Sequence, residues 1–185
     1  MLHLDLRLHC ARYLTHCVTK GNWCFEASNN DPSPEILSLN ADLIAFDEET
    51  QEHLPSPQQL FIKSNLSFFI DALLLRLSSG LTLMNTHGRN LMSLNLLVLL
   101  QNLKTLTTDA NLEKSTAYFD LFKEGGEKIV EAARKKSTQF DYDQLKQLLE
   151  LCYSEGLRSE RRDVAVQAKR VCDDLVLQLS EAMWT

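Results

Sequence analysis

The run LMSLNLLVLLQNLKTL, residues 91–106, constrains the fold more than any other stretch of the chain. Wound as a helix, it sets Met92, Leu96, Leu99, Leu103 and Leu106 on one stripe at alternating spacings of four and three residues. Leu91, Leu94 and Val98 form a second strip, and Leu97 and Leu100 occupy the remaining side. A helix this apolar is surrounded by other helices. Its two amides, Asn95 and Asn102, lie seven apart on one side, where they either pair with a neighbour and fix the register or face solvent. The run is too short and too broken by polar residues to cross a bilayer, which takes about 20 apolar residues. It is therefore a core helix, and the rest of the chain must supply faces that cover it.

Residues 2–9 alternate apolar and polar, as a strand would, but they contain no β-branched residue. Leu and Arg favour helix, and Ala11, Leu14 and Val18 continue at helical spacing, so a helix is expected to about Thr19, ended by Gly21. It starts without a cap, as though cut from a longer chain. After a loop over 22–34, Ser33 and Pro34 open a helix to about Glu52 with Ile36, Leu39, Leu43 and Phe46 inward. Its last turn carries Asp47, Glu48, Glu49 and Glu52, which oppose the helix dipole and fray it unless a cation arrives. Ser56, Pro57 and Gln59 read as a capping box for a helix running to Met84, with a bend available at Gly80, and Thr86, His87 and Gly88 form the turn into the central helix. Asp109 caps the next helix, which breaks at Gly125 and Gly126. Asp141 caps another, with Phe140 stapled onto Leu145, and Gly156 stops it. Ser159 caps the last, whose face is Val164, Ala168, Val171, Leu175 and Leu179. These signals give an all-α domain over 1–185, an antiparallel bundle of six to seven helices or stacked helical pairs. Residues 1–55 form an acidic helical pair and 56–185 the main bundle.

The net charge of −6 is unevenly placed. Residues 1–55 hold three bases against nine acids, and the remainder holds 16 of each. No basic field exists for nucleic acid, and an acidic section either meets a basic partner or is a solvated face. Five cysteines without an apolar leader suit a reducing compartment, hence the cytoplasm. Cys10, Cys17 and Cys24 recur every seven residues, as do His9 and His16, but seven residues of helix span about 10.5 Å, too far for one metal ion. Buried thiols are the expectation, with Asp5 and His9 paired at i, i+4. Gly125 and Gly126 lack the GK[ST] of a phosphate loop. Arg134, Lys135 and Lys136 suit a helix C-terminus. Arg158, Arg161, Arg162, Lys169 and Arg170 are interleaved with Glu160, Asp163, Asp173 and Asp174 and read as a solvated face before a binding patch. No nucleophile stands with a base, so no enzyme, cofactor or metal is expected. The acidic residues 47–49 and 52 and these five basic residues are the candidate interaction surface.

Several segments together resemble the C-terminal region of the Sec-eight family of exocyst subunits: LHLDLRLHCARYL at the start, GNW at 21–23, SLNADLIAFDE, and Gly88, Met92, Asn95 and LLQNL in the central helix. The later DLFKEGGEKI and LLELCYSE are compatible. Leu100 replaces the first Gln of the family's QQNL, and the chain ends MWT, which speaks against capture of the tail by a PDZ domain. The resemblance implies a non-enzymatic vesicle-tethering protein with stacked helical bundles. It implies contacts to other exocyst subunits, and to SNARE or small-GTPase regulators through the assembled complex. Its implied location is peripheral, at sites of secretion on the plasma membrane, with indirect or weak membrane contact. The competing expectation is a bundle that holds a lipid or other apolar ligand in a cavity lined by Phe68, Phe69 and Leu97.

Overall fold

The computed structural model of the chain describes residues 1–27 and 30–184. Ser28 and Asn29, in the expected loop over 22–34, and Thr185, in the MWT ending, lie outside the described residues. Ten helical segments and no strand are found among the described residues. They are α1 (Leu2–Lys20), α2 (Pro34–His53), α3 (Ser56–Lys63), α4 (Leu66–Ser78), α5 (Thr86–Leu106), α6 (Glu113–Glu124), α7 (Gly126–Arg134), α8 (Tyr142–Cys152), the single turn α9 (Ser154–Leu157) and α10 (Arg162–Trp184). The all-α reading holds, with more segments than the six or seven expected.

In α1 the helical period wins over the alternation. Leu6, Cys10, Leu14, Cys17 and Val18 are buried, whereas Leu4 and Leu8 are exposed. Helix α2 runs antiparallel to α1, and two hydrogen bonds record the register. His9 Nε2 meets Asp42 Oδ2 at 2.8 Å, and His16 Nδ1 meets Glu35 Oε1 at 3.1 Å. The seven-residue repeat of histidines is thus matched by a seven-residue repeat of acids running the other way. His9 pairs across to α2, not with Asp5 as expected.

Helices α1, α2, α5, α6 and α4 pack each on the next and close a ring, with Leu14, Leu39, Ile70, Leu99 and Phe119 among the residues buried in the core. Not all neighbours in space are antiparallel as α1 and α2 are. Asn95 on α5 bonds Ser33 and Asn102 bonds Asn40, so α2 and α5 run the same way. The ring joins a second layer, in which α10 lies across α7, α8 and α9, and α6 contacts both α7 and α8.

The central helix starts earlier than the sequence suggests. Asn85 caps it, accepting from the Gly88 backbone N–H at 2.9 Å, so Thr86, His87 and Gly88 are its first turn. Gly88 is required by space, because a Cβ there would overlap the backbone carbonyl of Trp23. Of the expected stripe, Met92, Leu96, Leu99 and Leu103 are buried. The helix is not surrounded on every side, since Leu97 is 52% exposed.

Both asparagines take the pairing role. Asn95, 2% exposed, accepts the Ser33 N–H through Oδ1 and donates through Nδ2 to Ser33 Oγ, both at 2.8 Å. Asn102 Nδ2 donates to Asn40 Oδ1 at 3.1 Å, and Asn40 Nδ2 returns a bond to the Val98 carbonyl at 3.3 Å. Replacing Asn95 by alanine strands the Ser33 groups in the interior and is expected to cost about 1–3 kcal/mol, read as a shift in the urea midpoint.

The long helix expected over 56–84 is instead broken twice. It stops at Lys63, and Asn65 adopts a left-handed conformation (φ 56°) before α4 begins. Arg7 of α1 holds the break, donating to the carbonyls of Ile62 and Ser64. The capping box at Ser56 does not form, because Gln59 donates to the Leu54 carbonyl at 2.7 Å. Helix α4 then ends at Ser78, and residues 79–85 are extended or turn.

Helix α6 starts at Glu113, and Asp109 is not its cap. Asp71, reaching from α4 and 6% exposed, accepts the backbone N–H of Ser115 at 2.8 Å and of Lys114 at 3.1 Å. At the other end Arg89 of α5 lies over the Phe122 ring and donates to the carbonyls of Phe122 and Lys123. A carboxylate at the N-terminus and a guanidinium at the C-terminus each oppose the partial charge of the helix end they meet. Gly125 then takes a φ of +95°, and α7 begins directly after it. Asp141 and Gln144 make the expected capping box. Gly156 permits a close approach, since a Cβ there would stand 2.8 Å from that of Ala168.

Candidate interaction surfaces

The acidic end of α2 does find its cation. Lys63, from the end of α3, pairs with Asp47, both side chains nearly buried, and Gln51 Nε2 adds a 2.7 Å bond to the same carboxylate. Asp47 is therefore a structural residue, and of the expected acidic surface only Glu48, Glu49 and Glu52 are exposed. The spacing showed the need for a cation but not which lysine would supply it.

The basic residues do not gather into one patch. Arg158 and Lys169 border a groove of about 590 Å³ between the 79–85 segment, α8 and α10, where Glu150 and Asp173 stand beside them. Arg170 lies on another flank of α10, in a groove of about 650 Å³ shared with Glu127, Glu131 and Arg134 of α7. Arg161 is bound to Asp163 at 2.7 Å, and Arg162 is exposed at the start of α10. Four of the five bases thus have acids nearby, as interleaving implies. The acidic end of α2 is beside Lys63, before α4. Arg158 and Lys169 are near Leu81 and Thr82, after it. The 13 residues of α4, about 20 Å of helix, lie between these two places.

Cys10, Cys17 and Cys172 are buried, and Cys152 packs against the core. Burial pushes Cys10 up to about 12, Cys17 to about 11 and Cys152 to about 12, and raises Cys172 as well. At pH 8 a thiol near 12 is thiolate in only about one molecule in ten thousand. With Ellman's reagent at pH 8, one fast reaction at half-exposed Cys24 is expected, the other four following only in denaturant. The linkage has a definite sign. The folded state keeps protons that the unfolded thiols release above about pH 8.5, so these groups make stability fall as pH rises from there towards 11–12. Among the described residues, no three His, Cys, Asp or Glu side chains converge as a metal set.

Phe68, Phe69 and Leu97 do not share a cavity. Phe68 lines an open groove of about 390 Å³ with Lys114 and Tyr118, Leu97 one of about 220 Å³ with Phe119, and Phe69 lies under Arg7. No helix of the described residues is long and apolar enough to cross a membrane.

A third groove, of about 410 Å³, follows the outer seam between α1 and α2. Leu6, Leu43 and Phe46 form its floor, and Asp5, Asp42 and Glu49 its rim. Asp42 is shared by His9 and by Tyr13, whose hydroxyl donates at 2.8 Å, and these two bonds hold its carboxyl below the usual carboxylate range. The sequence reading missed this site. The signal for it was present, in the phase of Asp5 and His9 against Asp42 and Glu49, but it needed the antiparallel register to be seen.

No family model matches the chain. Among curated proteins it is 33% identical to the probable exocyst complex component sec8 of Neurospora crassa, over 99% of this chain and 20% of that protein. It is 28% identical to exocyst complex component 4 of Homo sapiens, over 65% of this chain and 13% of that protein. It is 23% identical to exocyst complex component sec8 of Schizosaccharomyces pombe, over 88% and 15% respectively. The chain thus spans about a fifth or less of the length of these relatives. By these matches, the chain is a homologue of the exocyst component sec8 family over one segment of those proteins' length.

Proposed function

We propose that the chain is a C-terminal helical domain of a Sec-eight-type exocyst subunit. It serves as a non-enzymatic scaffold for protein–protein contacts while secretory vesicles are tethered to the plasma membrane before SNARE-mediated fusion. The similarity to a sec8 component across 99% of the chain carries this reading. The interior supports it, because its buried polar groups such as Asp71, Asn95 and Lys63 are engaged in holding helices to one another. The partners are the other exocyst subunits, with SNARE or small-GTPase regulators met through the assembled complex. The location is the cytoplasmic side of secretion sites, without nucleic acid and with only indirect membrane contact. Glu48, Glu49 and Glu52 on one end and Arg158, Arg161, Arg162, Lys169 and Arg170 on the other are the charged surfaces offered to partners.

An affinity tag on the intact parent chain tests the reading. Co-purification of the other exocyst subunits is expected, and deletion of residues 1–185 should impair assembly or secretion. Normal assembly and secretion after the deletion would remove the scaffold role from this domain.

A further inference from the structure

The groove between α1 and α2 combines two properties that select one kind of occupant. Its floor of Leu6, Leu43 and Phe46 is apolar, and its rim carries Asp5, Asp42 and Glu49 with a single histidine, His9, among them. The side chains of Asp5 and Glu49 make no hydrogen bond or ion pair among the described residues, and only Asp42 is engaged, by His9 and Tyr13. Leu2, 46% exposed and seven residues before His9, prolongs the apolar strip along the same flank of α1. Beyond Glu49, Glu52 continues the line of acids towards the end of α2, where the helix dipole adds further negative potential.

A long seam between two antiparallel helices is complementary in shape to a third helix laid along it. Carboxylates on the rim with no cation of their own favour a ligand that brings cations, and at physiological salt their field reaches about 8 Å. The same charges repel nucleic acid and anionic membrane surfaces.

We propose that the α1/α2 groove docks a basic amphipathic helix of another protein, with apolar residues at i, i+3 or i+4 and i+7 on the floor and Lys or Arg against Asp5, Asp42 and Glu49. This deepens the scaffold reading by naming the chemistry of one partner, and it depends on that reading only for the complex in which the partner is found.

The test uses three synthetic helical peptides with the same leucine stripe, flanked by Lys, by Glu or by Ser, each labelled and titrated with the chain by fluorescence anisotropy. The Lys-flanked peptide is expected to bind saturably and the Glu-flanked peptide not to bind. The double substitution Asp5→Lys with Glu49→Lys should weaken binding at least about tenfold, and Glu160→Lys, on the far side, should leave it unchanged. The milder pair Asp5→Asn with Glu49→Gln gives a graded loss in a chain whose fold is checked by circular dichroism. The proposal is overturned if the Lys-flanked peptide does not bind, if the Glu- or Ser-flanked peptide binds as well, or if Glu160→Lys weakens it equally. Sedimentation showing dimers that the double substitution abolishes would assign the groove to a second copy of the chain and overturn it too. The parent chain carrying both Lys substitutions keeps the two readings apart. If it still assembles while losing the peptide, the groove stands as a peripheral docking site. Failure of the unsubstituted parent to assemble concerns only the scaffold reading.

Discussion

Replacing Leu99 by alanine is expected to lower the stability of the fold by about 2–5 kcal/mol. Leu99 is 1% exposed and faces the interior of the five-helix ring, on the stripe it shares with Met92, Leu96 and Leu103. The loss has two parts: the transfer free energy of the deleted methyl groups, and the void they leave where neighbouring helices cannot collapse. The ring makes the second part large, because α5 is flanked by both α2 and α6 and cannot shift towards one without parting from the other. Leu97→Ala on the same helix is the control. That side chain is half exposed, and its loss should change stability by no more than about 0.5 kcal/mol. Urea denaturation of the two variants decides the matter, with an unchanged slope required for the comparison. Equal effects from both would mean that the core face of α5 has been misassigned.

Asp71→Ala is the second large effect, expected at about 2–4 kcal/mol. The carboxylate accepts from two backbone N–H groups in the first turn of α6, and the Asp71 carbonyl accepts from Ser115 Oγ at 3.1 Å. Alanine leaves the Ser115 donor without a partner in a buried site and the Lys114 donor without one in a half-buried site, and the buried donor carries the larger desolvation penalty. Asp71→Asn keeps one acceptor oxygen and places an amide against the other donor, so it should fall between wild type and alanine. Thermal melts rank the three proteins, and hydrogen exchange at the Lys114 and Ser115 amides shows whether the damage is local. Since α6 contacts α4 and α5 on one side and α7 and α8 on the other, loosening its start should also free the second layer. A cost under about 1 kcal/mol for alanine would show that the apolar face of α6, with Phe119 and Phe122, holds it in place without the cap.

These two residues also mark how far the sequence could be read. Leu99 was visible as part of a stripe, because its neighbours on the helix face lie three and four positions away. Asp71 was not visible, because its bonds to Lys114 and Ser115 join residues 43 and 44 positions apart. Asp109, the residue of capping type nearest in the chain, is not the cap, because α6 starts only at Glu113. The candidate surfaces divided in the same way. Exposure of Glu48, Glu49 and Glu52 followed from composition alone, whereas withdrawal of Asp47 into a buried pair with Lys63 depended on the turn between α2 and α3.

The features written within one or two helical turns are legible in the chain order alone. They are the all-helical class, the inward stripe of α5, the capping box at Asp141 and the breaks at Gly21 and Gly125. Helix propensity, periodicity and capping act over a few residues, and so they can be read in order along the chain. Partners distant in sequence set a second group of features, which exist only once the helices are packed. Arg7 holds the break before α4, Asp71 and Arg89 cap the two ends of α6, and Ser33 satisfies Asn95. The groove of Asp5 and Glu49 belongs with them, since it exists only because α1 and α2 lie antiparallel in one particular register. A buried polar group must find a partner, but the chain order does not say where that partner lies until the helices are packed.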